Sequence, residues 1–452
     1  MLAHVCRRWR SVVFQSPRRL NLRLVYTPKT HARDAKLDIW PWPPLPLIIH
    51  DCDRIMTHAL SAGDIIAPLN LKHNNDRVCQ IQLEYLSIRQ FGYATNSAAM
   101  QKPFPELTDL RLGMLEYVQK QEPIVPDSFL GQTAPCLRSL ELSGISFPGL
   151  PKLLLSATHL VHLDLFNIPP SGYIPPEVMA TSLSALASLV FLRLRFRSSR
   201  PRPALESRRP PPLTRSILPS LAKILFKGAS EYLEEFLARV DAPRLNKMLI
   251  TFFNQIIFDT PQLSQFIGRT PTLTAPEIGH IAFISNAVIV RFLSQTPGYG
   301  VFGVRILCTA SEWQLSSLGQ VCTSTFPSLP MLKDLFIFEH GGRPPHWQDD
   351  VENTLWLELL HPFAAVKNLY LSKKYIPRIA PALQELVGGR TTEVLPTLEN
   401  IFLEGSQPLG PFHEGIETFV TARRVTSRPV AVSRWDMNPE QYTYYHYTDY
   451  GN

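Results

Sequence analysis

Residues 137–165 read LRSLELSGISFPGLPKLLLSATHLVHLDL. The hexad L-x-x-L-x-L occurs twice in them, as Leu137-Leu140-Leu142 and Leu160-Leu163-Leu165. A β-strand alternates its side chains between two faces, so Leu140 and Leu142 share one face while Ser139 and Glu141 take the other. Between the hexads, Leu150, Leu153 and Leu155 fall out of phase and read as the apolar face of a helix. The stretch therefore predicts strand, loop, helix and strand in succession.

The hexad recurs as Leu107-Leu110-Leu112 and Leu189-Leu192-Leu194, with starts 30, 23 and 29 residues apart. About one match is expected by chance in a chain of this length, so four in close succession signal leucine-rich repeats. Admitting Val, Ile, Met and Phe extends the register both ways. It then takes in Val78-Ile81-Leu83, Leu221-Ile224-Phe226, Leu245-Met248-Ile250, Ile278-Ile281-Phe283, Val301-Val304-Ile306, Leu332-Leu335-Ile337, Val366-Leu369-Leu371 and Leu398-Ile401-Leu403. Successive starts stay 23 to 34 residues apart. The segments between carry helix signals: Ser230 as an N-cap before Leu233, Phe236, Leu237 and Val240, and Thr260 with Pro261 before Leu263, Phe266 and Ile267. Asp349, Asp350 and Glu352 load the start of another helix, and Gly388 with Gly389 stops the one containing Leu383, Leu386 and Val387. The expected fold is an α/β leucine-rich-repeat solenoid over residues 19–435, of about 12 irregular repeats. Its parallel strands would line the concave side and its helices the convex side, with strands at 20–26 and 45–50 extending the N-terminal end.

Composition agrees. Proline is abundant at 41 of 452 residues and glycine low at 22, without the period of a collagen, and 45% hydrophobic content excludes wholesale disorder. Pro105, Pro135, Pro219, Pro243, Pro276, Pro330 and Pro396 each stand two residues before a repeat's first apolar position, where proline ends a helix and favours extended backbone. The net charge of +7 is concentrated in two places. Residues 1–36 hold nine basic residues against Asp34, and the Arg/Pro-rich segment 195–215 holds seven arginines against Glu206, reading as a loop insertion. The rest of the chain sums to −7, and no zinc-finger, RNP or G-x-x-G signature accompanies the arginines, which argues against nucleic acid as a partner. The longest apolar run, IAFISNAVIVRFL at 281–293, is too short to span a membrane. Six scattered cysteines without a C-x-x-C pair, no secretory h-region and no N-glycosylation acceptor point to an intracellular protein, cytoplasmic or nuclear. Residues 436–452 carry five tyrosines and no aliphatic side chain and read as a disordered tail.

Catalytic chemistry is sparse. Phosphate-binding, nucleophile-elbow and zincin motifs are absent. His159 and His162 with Asp164, and His50 and His58 around Asp51-Cys52-Asp53, are the nearest approaches to a metal or acid–base site; both read as solvated polar residues. No enzyme activity, cofactor or metal is expected. The third and fifth places of each repeat face away from the leucines, giving polar residues in early repeats (Gln80, Gln82, Asp109, Arg111, His162, Asp164) and aromatics in later ones. Phe336, Tyr370 and Phe402, with Arg305, are the candidates for recognising an unidentified protein substrate.

Residues 2–20, LAHVCRRWRSVVFQSPRRL, place Val5, Trp9, Val12 and Val13 on one helical face. Pattern alone allows a solenoid-capping helix or a targeting sequence. The wording V-C-R-x-W-R followed by S-P resembles the last helix of an F-box, and the run from Trp356 to Asp436, with HPFAAVKNLYLSKKY and RPVAVSRWD, is similar to the C-terminal region of F-box proteins from mushroom-forming fungi. The resemblance implies the substrate-recognition subunit of an SCF-type cullin ubiquitin ligase, with residues 1–18 as a partial F-box-like helix. Val5, Trp9, Val12 and Val13 would bind the Skp-type linker subunit. The Leu-Pro opening and earlier helices of an F-box have no counterpart here. The alternative is a repeat scaffold for protein interactions with no ligase link.

Overall fold

The computed structural model of the chain describes residues 23–27, 46–51, 75–114, 122–198, 214–254, 258–295, 300–308, 310, 313–326, 329–339, 353–388, 390–405 and 413–436. The helix expected over 2–20 with its Val5, Trp9, Val12 and Val13, the acidic turn at Asp349, Asp350 and Glu352, residues 199–213 of the Arg/Pro-rich segment and residues 437–452 of the tail lie outside the described residues. The chain divides into two compact units, residues 1–200 with 216–221, and residues 201–215 with 222–452.

In the first unit β1 (Leu24–Tyr26), β2 (Leu47–Asp51), β3 (Val78–Leu86), β4 (Asp109–Met114), β5 (Ser139–Ser143), β6 (His162–Ile168) and β7 (Phe191–Phe196) each pair with the next in sequence, all parallel. A two-residue β8 (Ser216–Ile217) follows, and α1 (Ile88–Thr95), α2 (Leu150–Ser156) and α3 (Pro176–Ser184) lie between strands. Register aligns Ile81, Leu110, Leu140, Leu163 and Leu192 in a single column, each fully buried. In α2 the buried residues are Leu150, Leu153 and Leu154, while Leu155, expected inside, is 54% exposed. Strand β7 runs through Phe196 with Arg195 buried over the Phe166 ring, so the Arg/Pro-rich segment begins later than position 195.

The second unit contains β9 (Lys223–Gly228), β10 (Val240–Asp241), β11 (Lys247–Phe252), β12 (Ile278–Ile284), β13 (Ala287–Leu293), β14 (Val301–Leu307), β15 (Asp334–Glu339), β16 (Asn368–Leu371), β17 (Asn400–Glu404) and β18 (Ala431–Trp435). Its helices are α4 (Ser230–Leu237), α5 (Pro261–Gly268), α6 (Trp313–Thr325), α7 (Asn353–Leu360), α8 (Ile376–Gln384) and α9 (His413–Val425), and successive helices pack side by side. The sheet order is β9-β11-β14-β13-β12-β15-β16-β17-β18, and β13 runs antiparallel to both of its neighbours. The uninterrupted parallel order expected from the repeats fails here. The apolar run 281–293 folds as a hairpin about Ser285-Asn286, and β14 returns to the edge of β11. The expected hexads at 278 and 301 are also displaced by two residues: Gly279 and Ile281 align with Leu335 and Ile337, and Phe302 and Val304 with Met248 and Ile250. A two-residue slip keeps each side chain on its face, so alternation alone does not reveal it.

Proline acts differently from the expectation. In Phe104-Pro105-Glu106-Leu107 the Leu107 N–H donates to the Phe104 carbonyl (3.3 Å), closing a turn with proline in its second position. The same bond closes at Leu137, Leu221, Leu245, Leu332 and Leu398, so six of the seven prolines make the corner that aims the chain into a strand. No such bond reaches Ile278 after Pro276 among the described residues.

Helix starts are shared between repeats. Ser230 is the first residue of α4 rather than its cap, which is Ala229. Thr260 does occupy the N-cap of α5, but its hydroxyl bonds Thr325 (2.7 Å) and Ser324 (3.0 Å). The Glu234 carboxylate of α4 instead accepts the Gln262 and Leu263 N–H groups at 2.7 and 2.8 Å, placing an anion on the helix N-terminus. Arg423 of α9 is fully buried and donates to the carbonyls of Thr391 (3.0 Å) and Leu398 (3.1 Å), tying α9 to the loop that enters β17.

Because Leu163 sits in a filled column, Leu163→Ala should cost about 2–5 kcal/mol, whereas Val161→Ala, at a 38% exposed neighbour, should stay within about 0.5 kcal/mol. Equilibrium denaturation of the two variants measures the contrast; equal effects would contradict the assigned register.

Candidate functional site

The face opposite the leucines is polar in the first unit. Gln80 donates to Asp109 (3.1 Å), His50 bonds Gln82 (2.8 Å), Arg111 lies 3.6 Å from Glu141, and Arg193 holds Asp164 at 2.8 Å. The His162 ring stacks on Phe191 with centroids 4.2 Å apart. His162 and Asp164 do share a face, 3.9 Å apart, but Asp164 is buried and taken by Arg193 rather than solvated. Burial, reinforced by Asp164, pushes the Glu141 carboxyl above the usual carboxylate range. His159 is exposed and apart from the pair, and Cys52, Asp53 and His58 lie outside the described residues. Among the described residues no group of three His, Cys, Asp or Glu side chains could hold a metal ion. The buried Cys308 thiol is pushed up to about 11 by desolvation, which removes the thiolate that nucleophilic chemistry requires.

In the second unit the same face turns apolar and aromatic. Ala282, Ile289 and Phe338 form a buried cluster against which Ile284 and Phe336 pack. From Phe336 a ladder continues across three strands. Phe336 and Tyr370 stack with centroids 4.0 Å apart and planes 9° from parallel; Tyr370 and Phe402 stack at 4.5 Å and 8°. The cause is register, since Phe336, Tyr370 and Phe402 are direct partners on β15, β16 and β17. Beside the rings runs a second row, in which Asn368 donates to Asp334 (2.7 Å) and Asn400 to Asn368 (2.8 Å). All three rings remain half-buried.

Two side chains that sequence reasoning passed over complete the site. Trp435 meets Phe336 and Tyr370 edge-on at 5.8 and 5.5 Å, and its indole N–H points to the Leu371 carbonyl (3.4 Å). Its strand is a degenerate repeat: Val432 and Arg434 stand in register with Ile401 and Leu403, and the clue was the 31-residue spacing from Asn400 to Ala431. His280 sits at the other end, edge-on to Phe336 (5.1 Å) and Phe338 (5.7 Å) and directly across the hairpin from Arg291. Arg305, a candidate for the same recognition face, stands apart from the rings. It lies on β14 opposite Ile289 and Thr251, with β13 and β12 interposed before β15.

No family model matches the chain, and no curated protein matches its sequence. Among solved structures, the leucine-rich-repeat-containing protein LegL7 from Legionella pneumophila is similar over 88% of this chain and 97% of its own length, with 13% identity and a TM-score of 0.29. The superposition is loose at that score, and the assignment of the repeats rests on the strand registers.

Burial first, and then the Arg291 charge, lower the His280 pKa from 6.5 to about 4. The folded protein therefore holds this ring neutral while the unfolded chain protonates it, so stability is intact above pH 6.5 and falls as pH drops toward 4. Each pH unit in that window is worth at most about 1.4 kcal/mol, about 3 kcal/mol in all. Urea denaturation of the native chain and of His280→Gln at pH 7 and 4.5 isolates this contribution, because the carboxylates titrate alike in both; parallel losses would assign the acid sensitivity elsewhere.

Proposed function

We propose that this chain is a leucine-rich-repeat receptor that binds a protein partner through the ring ladder Phe336-Tyr370-Phe402, and that it has no enzyme activity of its own. The observation carrying this reading is a half-buried stack of three aromatic rings on the face opposite the core, flanked by a hydrogen-bonded Asp–Asn–Asn row. Aromatic side chains held rigid by neighbours lose little entropy on binding and are the usual anchors of protein interfaces. Nucleic acid is disfavoured because this face carries rings and amides rather than a basic stripe. Among the described residues no helix is long and apolar enough to cross a membrane; the proposed setting is intracellular.

The finer reading makes the chain the substrate-recognition subunit of an SCF-type cullin ubiquitin ligase. Its support is the resemblance of residues 2–20 to the last F-box helix, and Val5, Trp9, Val12 and Val13 would meet the Skp-type linker. A scaffold without the ligase link shares the ladder and lacks that contact.

Two measurements separate the readings. Purified Skp-type linker should be retained by the full chain and released by Trp9→Ala; no retention by the native chain leaves the scaffold reading. Proximity labelling in cells should lose at least one neighbour when Phe336, Tyr370 and Phe402 are changed together to alanine, with far-UV circular dichroism unchanged. An unaltered set of neighbours would overturn the ladder as the recognition surface.

A further inference from the structure

Among the described residues, strand β18 stands at the edge of the second unit's sheet. It pairs with β17 along one edge, and among the described residues no strand pairs with the other. Ala431, Val432, Ser433 and Arg434 are all exposed. Val432 stands in the column of Ile401, which is fully buried, yet is itself 43% exposed. Arg434 stands in the column of Leu403, 5% exposed, and puts a charge where earlier repeats have an apolar residue. Among the described residues this rung is therefore open on its core side and bounded by a cation. A stacked repeat array needs a polar cap or a further rung at such an end.

Backbone geometry says which groups are available. In a parallel ladder alternate residues bond to each neighbour. Ala431 donates its N–H to the Glu399 carbonyl (2.9 Å), so Ala431, Ser433 and Trp435 face β17. The N–H and C=O of Val432 and Arg434 point to the open edge, where an added strand would bond them.

Resting on the reading of this face as a protein-recognition surface, the geometry points to the β18 edge as the docking site of an extended partner segment that adds a parallel strand. Its sequence follows from the columns: an apolar residue beside Val432, then an aromatic residue beside Ser433, then a carboxylate beside Arg434. The aromatic residue would stand in the ring column two strands beyond Phe402, about 9.6 Å away, leaning over Ser433, the small register partner of Phe402. The acidic choice follows from charge. Among the described residues Arg434 enters no ion pair, and exposed Arg424, in the last turn of α9, and Arg428, just before the strand, add positive potential.

The test uses the full chain and a fluorescein-labelled nonapeptide, Ser-Thr-Thr-Val-Phe-Asp-Thr-Thr-Ser, read by anisotropy. The native chain should bind it saturably. Val432→Pro removes an edge N–H without touching the bonds to β17, a position that proline tolerates, and should abolish binding with circular dichroism unchanged. Arg434→Glu should weaken binding about tenfold, the loss of one charge-assisted bond, and should recover it against the peptide whose aspartate is replaced by lysine. No saturable binding, or binding indifferent to Val432→Pro, overturns the proposal. So does a dimer that Val432→Pro dissociates, which assigns the edge to a second copy, or binding that appears only after residues 437–452 are removed, which assigns it to the chain's own C-terminal residues. Cellular partners that depend on Phe336 and Tyr370 but ignore Val432→Pro would leave the ladder reading standing and end this one.

Discussion

In most repeats one carbonyl accepts two N–H groups from the next. The Thr108 carbonyl receives Arg138 and Ser139, that of Arg138 receives Val161 and His162, and that of Val161 receives Val190 and Phe191. The same fork recurs at Ala222, Glu277, Lys333 and Lys367. The residue involved usually follows the repeat's first leucine, directly after the turn that proline corners. Strands of four to seven residues could slide, and a slip of one residue would send every leucine to the wrong face. The forked carbonyl prevents that slip at the strand's first step. The filled leucine columns follow from it, and so does the opposite face, where strands about 4.8 Å apart bring Phe336, Tyr370 and Phe402 to 4.0 and 4.5 Å.

The interruption at β12–β14 shows what happens where the entry turn is missing although the fork at Glu277 remains. Ile278 lacks the entry turn, and Gly279 occupies a leucine column, where a Cβ would stand 3.2 Å from a Leu335 methyl. Leu332 and Leu335 fill the space instead, and the chain continues as a hairpin of β-branched and aromatic residues joined by two turn residues, Ser285 and Asn286. Both faces of the hairpin are buried, one in the core through Val288 and Val290 and the other through Ile289 in the cluster with Ala282 and Phe338. A strand buried on both sides reads as a continuous apolar run, which is how 281–293 looks.

The amino-acid pattern disclosed the strands because leucine at a fixed offset is a direct consequence of core geometry. Five of the twelve expected hexads lie in mutual register in the first unit; in the second, those at 221 and 245 pair in register, as do those at 332, 366 and 398. The remaining two flank the hairpin, where nothing in a two-residue alternation distinguishes the true phase from its neighbour. The ladder was legible for the same reason as the leucines, being the complementary set of positions on consecutive strands. Arg305 lies apart from the rings because the hairpin interposes β13 and β12 between β14 and β15. Trp435 was hidden because Arg434 replaces the expected apolar residue, so only spacing marked the strand. Helix caps were the least legible: the partners of Thr260 and Glu234 come from other repeats, and local sequence carries no trace of them.

The ladder's self-association limits how it can be used. Stacking consumes ring faces: Tyr370 has one face against Phe336 and the other against Phe402, while Trp435 meets the edges of Phe336 and Tyr370. At the opposite end His280 and Phe338 close the approach to Phe336. Among the described residues the ring with a face still outside the stack is Phe402, and it looks toward Ser433, a side chain too small to cover it. An aromatic ligand meeting the middle of the ladder would have to displace Trp435, losing contacts worth about 1 kcal/mol per ring pair. A ring laid over Ser433 toward the outer face of Phe402 displaces none of these contacts. The parallel register that builds the ladder thus also leaves its outer ring face at the β17 end.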